Sequence, residues 1–306
     1  MKIFSGTSNE PLAKKIAEGL RLTLSPLEIH IFPDGEKRVR AVDEVVDENC
    51  IVVQSTSPNV NENYIELFFI VDALKRSGAK SVTAIIPYLG YQRQDHVFRE
   101  GEAVSIEVMI KTLQASGVDK IITFDLHSIK IPEFFAIPIA HLSALPLFAE
   151  KIRAISEGGA LSGASPILIS PDMGGIRRVK LLSELLGDMP YASIEKDRNL
   201  KTGEIKIKNI HVAPNIQLKG RFAFIVDDMI ASGGTMDKAV NFLKKKGIAK
   251  VWIFATHAIF AENAKLILKK IKAESIFVTN SVFIPQEKQF PKLQILSIAR
   301  IVIENL

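Results

Sequence analysis

A gapless internal match is the feature that most constrains this chain. SIEVMIKTLQASGVDKIITFDLHS, from Ser105, lies over TMDKAVNFLKKKGIAKVWIFATHA, from Thr235, so that Gly117 falls on Gly247, Lys120 on Lys250, Phe124 on Phe254 and His127 on His257. Each copy reads as a helix closed by glycine, a buried strand, and a histidine just past the strand's C-terminal end. Two similar halves are the expectation. Coincidence is the alternative, because helix–Gly–strand units share an apolar pattern in any case. Length agrees with two halves, since 306 residues exceed what one hydrophobic core usually serves.

Around this repeat, β-rich runs (CIVVQS, SVTAIIPYL, KIITFDL, PILISP, RFAFIVD, KVWIFAT, SIFVTN) alternate with helix-patterned stretches such as YIELFFIVDALKRSG. The alternation predicts an α/β chain, with parallel sheets covered by helices. A composition 47% hydrophobic and 24% charged suits a globular core that needs no disulfide. The single Cys50 reads as a small buried apolar residue, which suits the cytoplasm. No apolar run approaches a membrane span, and MKIFSGTSNEPLAKK carries no export signal. The net charge of +5 is dispersed apart from Lys244, Lys245 and Lys246 on one helix face. That pattern argues against nucleic acid and suits phosphorylated metabolites.

Open α/β sheets bind ligands beyond the carboxyl ends of their strands, so the loops there carry the functional reading. After Phe222–Val226 come Asp227 and Asp228, then Ala231-Ser232-Gly233-Gly234-Thr235 and a helix. Small residues let backbone N–H groups close on a phosphate, and the helix dipole favours the anion. There is no P-loop lysine, so a single terminal phosphate fits better than a triphosphate. The two aspartates are expected to diverge from adjacent strand positions, as acceptors for sugar hydroxyls. An acidic turn with a helix cap is the plain alternative. Asp172 in SPDMGG offers a hard oxygen ligand before Gly174 and Gly175, a second anion cradle or simply a Pro-Asp turn. Ile194 to Asn199 reads as a charge-dense, mobile loop beyond the strand-like YASI.

VDDMIASGGTM resembles the ribose-phosphate loop of the phosphoribosyltransferase fold. FPDGE (Phe32 to Glu36), YQRQD (Tyr91 to Asp95), DLHS, SPDMGG and the 194–199 segment extend the resemblance along nearly the whole chain, to the ribose-phosphate diphosphokinases. The resemblance implies two phosphoribosyltransferase-type domains, each a mainly parallel sheet flanked by helices: 1–144, joined by a tail at 285–306, and 145–284. It implies transfer of the diphosphoryl group of ATP to the C1 hydroxyl of ribose 5-phosphate. By its motifs Phe32, Asp34, Glu36, Arg93, Gln94 and Asp95 would address ATP. His127 and Asp172 would hold Mg²⁺. Asp227, Asp228, Ala231, Ser232, Gly233, Gly234 and Thr235 would hold ribose 5-phosphate, and Lys196 and Arg198 would close over the transferring group. A homo-oligomer is implied too, because in this family the FPDGE loop is donated by a neighbouring subunit. His257 is expected to be structural. A nucleobase phosphoribosyltransferase, or a noncatalytic regulator or subunit on the same fold, are the alternatives.

Overall fold

The computed structural model describes residues 1–157, 165–198, 205–261 and 263–306, without the side chains of 198, 205 and 206. The chain divides into two compact units. One comprises Met1–Ser143, Asn280–Phe283 and Ser297–Leu306, and the other Ala144–Thr279 and Ile284–Leu296.

In the first unit the elements run β1 (Lys2–Ser5), α1 (Glu10–Gly19), β2 (Leu24–Ser25), β3 (Leu27–Ile31), β4 (Lys37–Ala41), β5 (Asn49–Val53), α2 (Val60–Arg76), β6 (Ser81–Ile85), α3 (Ser105–Ala115), β7 (Lys120–Phe124) and β8 (Ile139–Leu142). Six strands form one parallel sheet in the order β2-β1-β5-β6-β7-β8, while β3 and β4 make a separate antiparallel hairpin. The near-continuous apolar runs of β5, β6 and β7 follow from this arrangement, since a parallel strand covered on both faces has no wet side.

The second unit runs α4 (Leu145–Glu157), β9 (Pro166–Ser170), α5 (Ile176–Leu185), β10 (Tyr191–Arg198), β11 (Ile205–Val212), β12 (Phe222–Ile230), α6 (Gly234–Lys245), β13 (Lys250–Ala258), α7 (Ala264–Lys270), β14 (Ile276–Thr279) and β15 (Leu293–Leu296), before α8 (Ala299–Ile303) returns to the first. Its sheet has the order β11-β10-β9-β12-β13-β14-β15, parallel except for β10 against β11. Two apolar clusters fill its two faces, one around α6 and α7 and one around α4 and α5.

The two copies of the sequence repeat share their helix–glycine–strand unit, although His257 lies within β13 rather than past its end as His127 does past β7. α3 and α6 both end at a left-handed glycine, Gly117 (φ 104) and Gly247 (φ 86), and lead into β7 and β13. Three expectations need correction. The tail 285–306 does not pass whole to the first unit: β15 pairs with β14, so only 297–306 joins it, with 280–283. Residues 194–198 are strand rather than loop, because β10 continues to Arg198 and pairs with β11 across a bulge at Glu195/Lys196. The third concerns β12, which runs on through the acidic pair to Ile230 instead of stopping at Val226.

Candidate active site

In the first unit the expected ATP residues lie on two features. Phe32 to Glu36 form the tip of the β3–β4 hairpin, closed by Phe32 N–H to Glu36 O (2.8 Å), Gly35 N–H to Phe32 O (2.9 Å) and Glu36 N–H to Asp34 Oδ1 (3.1 Å). Asp34 and Glu36 are exposed, and the Phe32 ring packs edge-on against His30 with Arg38 over it. Lys37, at the base of the tip, reaches the buried Glu66 at 2.7 Å, anchoring the hairpin to α2.

The loops after β6 and β7 are neighbours because those strands pair. Gln92 Oε1 accepts the His127 N–H at 2.9 Å, and Asp95 is hydrogen-bonded by Ser128, so the RQD and DLHS loops are tied together. Burial pushes the Asp95 carboxyl up, but hydrogen bonds from Ser128, His96 and its own amide outweigh it and hold the group below the usual range. Arg93 and His127 are exposed, while Gln94 leans on Glu102 and the Ala103 carbonyl at 3.3 Å. Asp125 takes a left-handed conformation (φ 34) and accepts the Ser143 hydroxyl at 2.7 Å. His141 Nε2 accepts the Leu126 N–H at 2.9 Å, fixing the entry to the His127 loop.

In the second unit the strand order β10-β9-β12 sets three functional segments side by side. Asp172, just past β9, accepts the Gly175 N–H through Oδ1 at 3.0 Å and meets Lys196 of β10 through Oδ2 at 2.9 Å. A Cβ at Gly175 would stand 2.6 Å from Ser170 Oγ, so a larger residue would displace the hydroxyl that donates to the Asp172 carbonyl.

The acidic pair departs from the expected divergence. Asp228 N–H donates to Asp227 Oδ1 and Met229 N–H to Asp228 Oδ1, both at 2.9 Å, folding each carboxylate back along the chain. Arg178, in the first turn of α5, then reaches both: Nη1 lies 3.2 Å from Asp227 Oδ1 and Nη2 3.8 Å from Asp228 Oδ2. Burial and the neighbouring Asp228 drive the Asp227 carboxyl well above the usual range, with Arg178 pulling it back in part. The expected phosphate cradle opens α6. Gly233 is the N-cap at φ 82, no side chain caps the helix, and Ala231, Ser232, Gly234 and Thr235 all retain exposed surface.

Lys196 thus meets Asp172, whereas the Arg198 side chain, with Asn199, lies outside what the structure describes. His127 and Asp172, the expected metal ligands, belong to different units. Among the described residues no group of three His, Cys, Asp or Glu could hold a metal ion. His257 is fully buried on β13, as a structural role requires. A cleft of about 630 Å³ between α5 and the β10–β11 hairpin, lined by Met173, Tyr191, Ser193 and His211 among others, takes in none of the expected substrate residues.

Comparison with known proteins gives this geometry a family. The N-terminal domain of ribose phosphate pyrophosphokinase matches residues 1–117, and a phosphoribosyl transferase domain matches residues 139–289. A ribose-phosphate pyrophosphokinase of Fusobacterium nucleatum is 39% identical over 298 residues, covering 97% of this chain and 91% of the relative. This chain belongs to the ribose-phosphate pyrophosphokinase family. A chloroplastic ribose-phosphate pyrophosphokinase 2 of Oryza sativa is 36% identical, over 100% of this chain and 74% of its own length. A crystal structure of phosphoribosylpyrophosphate synthetase from Mycobacterium smegmatis superposes with TM-score 0.90 at 32% identity, over 99% of this chain and 96% of that one. The two-domain α/β architecture with mainly parallel sheets is the family's.

Sequence reading missed Arg178 and the tie through Gln92 and Ser128. Arg178 had a signal: it lies three residues beyond Gly175, close enough on a short helix to reach back over the strand ends. The strand β11 also had one, in the alternation of Ile205, Ile207 with Lys206, Lys208.

Proposed function

We propose that the chain transfers the diphosphoryl group of Mg-ATP to the C1 hydroxyl of ribose 5-phosphate, giving 5-phosphoribosyl 1-diphosphate and AMP. The observation that carries this reading is the convergence on β10-β9-β12 of a lysine, a partly exposed carboxylate and a nearly buried acidic pair, with an uncapped helix start following that pair. A nucleobase transferase would need the sugar loop but not the RQD, DLHS and FPDGE segments.

The roles follow from the chemistry of each group. Ala231 to Thr235 hold the 5-phosphate on the N–H groups of the α6 start, where the dipole favours an anion. Asp227 and Asp228 accept hydrogen bonds from ribose hydroxyls. Phe32, Asp34, Glu36, Arg93, Gln94 and Asp95 address the nucleotide, a ring and planar donors serving the base and phosphates. Lys196 and Arg198 stabilise negative charge that spreads over the transferring phosphoryl oxygens. Loose transition states gain little from early deprotonation of the attacking hydroxyl, so no strong general base is required.

The donor set suits Mg²⁺, which prefers oxygen ligands and takes one or two carboxylates together with substrate phosphates rather than an all-protein cage. Asp172, partly exposed at a strand end, is such an oxygen donor, and His127 would supply an imidazole. Such an ion would neutralise charge on the substrate phosphates held there. The exposed hairpin tip supports a homo-oligomer in which Phe32 to Glu36 serve a neighbouring subunit. No helix among the described residues is long and apolar enough to cross a membrane. Incubation with ATP, Mg²⁺ and ribose 5-phosphate tests the reading. AMP should appear in step with the sugar diphosphate, and ATP binding without turnover would favour the regulator.

A further inference from the structure

We infer that Arg178 is a positioning residue for sugar recognition: one guanidinium holds Asp227 and Asp228 together, aimed as a pair at the ribose hydroxyls. The inference rests on the proposed function and adds a residue to its sugar site. Its basis is geometric. Adjacent strand residues ordinarily point to opposite faces. Here both carboxylates turn to the same cation, at 3.2 Å and 3.8 Å, and all three side chains are nearly buried, with 15% of Arg178, 13% of Asp227 and 4% of Asp228 exposed.

Two neighbouring buried carboxylates repel one another, and one would take up a proton unless a cation lay between them. The upward push on Asp227 from burial and from Asp228, opposed by Arg178, has that form. A protonated Asp227 would keep its place in the chain yet lose acceptor capacity toward a hydroxyl. A planar guanidinium addresses two separate carboxylates through two different nitrogens, whereas lysine would have to reach both from a single nitrogen. Arg178 also stands in the helix that begins at Gly174–Gly175, so it fixes the sugar carboxylates relative to the loop of Asp172.

Arg178→Gln, Arg178→Lys, Asp227→Asn and the Arg178→Gln/Asp227→Asn double variant would be compared in steady-state kinetics with both substrates, alongside thermal unfolding. The inference expects Arg178→Gln to raise KM for ribose 5-phosphate by about tenfold or more, the scale of one charge-assisted hydrogen bond, while KM for ATP changes little. Arg178→Lys should recover part of that loss. In the double variant Arg178→Gln should add less than it does alone, because the nearer of its two partners is already neutral while Asp228 remains. An unchanged KM for ribose 5-phosphate in folded Arg178→Gln, or fully additive effects in the cycle, would overturn the inference. Should Arg178→Gln alone fail to fold, the lysine variant and the double variant decide by the same readouts. Absence of AMP formation by the wild-type protein would sink the proposed function instead, so the two failures are distinguishable.

Discussion

Lys196 Nζ and Asp172 Oδ2 stand 2.9 Å apart, joining the edge hairpin of the second unit to the loop expected to handle diphosphate. In the proposed mechanism the lysine stabilises the transferring group and the aspartate would hold the cation that screens it. Each is the other's counter-ion. Under that proposal, substrate phosphates and their cation would take over both members of this partly desolvated pair.

Replacing the lysine tests its half of this arrangement. Lys196→Ala should lower kcat by roughly 10³-fold, the scale of a charge supplied to a phosphoryl transition state, with much smaller changes in either KM. Steady-state kinetics returning near-normal turnover would remove Lys196 from the mechanism.

For the aspartate, Asp172→Asn keeps the shape but removes the hard anionic ligand. The Mg²⁺ concentration for half-maximal activity should rise about tenfold or more, the lower bound for loss of a metal-site group. A magnesium titration superimposable on wild type would exclude Asp172 as a ligand.

Gly233 combines two demands, a φ of 82 and a Cβ position 3.1 Å from Leu268 Cδ2. Gly233→Ala should cost about 1–2 kcal/mol from the left-handed backbone alone. KM for ribose 5-phosphate should rise with it, because α6 could no longer start at the same place. Urea unfolding at unchanged stability would contradict this account of the cradle.

Buried charge makes the base of the hairpin tip sensitive as well. Glu66 has 1% of its side chain exposed and is met by Lys37, Thr7 and Gln54. Lys37→Met should destabilise the fold by about 3–5 kcal/mol, the cost of stranding a buried carboxylate. Chemical denaturation measures it, and a loss under about 1 kcal/mol would show that the carboxylate's remaining partners suffice.

One pH effect follows from His141. Its Nε2 accepts the Leu126 N–H, which requires the unprotonated nitrogen, and although the residue keeps exposed surface, desolvation of the ring depresses its pKa below the ordinary 6.5, opposed in part by Asp125. The unfolded chain then binds the proton more readily, so this contribution is complete above pH 6.5 and falls away as pH drops through and below it. Stability should decline on acidification from about pH 7 to about pH 5, and His141→Gln should flatten that part of the profile. Equal slopes in both proteins would contradict it.

Much of this was legible because it is periodic. The apolar runs of β5, β6, β7, β12 and β13, the glycines closing α3 and α6, and the small-residue loop before α6 each carry a local signature in composition or spacing. What escaped depends on register between distant segments. Nothing near Asp227 in sequence announces Arg178, because their meeting follows from β9 lying beside β12. The hairpin of β10 and β11 was obscured by charge: Glu195, Lys196 and Asp197 read as solvated loop, yet in the folded hairpin they pair with His211, Asp172 and Lys208 while Ile194, Ile207 and Ile210 pack against the core. Asp227 and Asp228 looked like a strand terminus for a similar reason, although Met229 and Ile230 resume the apolar pattern immediately after them.

The most direct measurement is phosphorus-31 NMR of the purified protein with ATP, Mg²⁺ and ribose 5-phosphate. Resonances of AMP and of a sugar-linked diphosphate growing together, in equal amounts, are predicted. Formation of ADP with a sugar bisphosphate, or no consumption of ATP at all, would contradict diphosphoryl transfer.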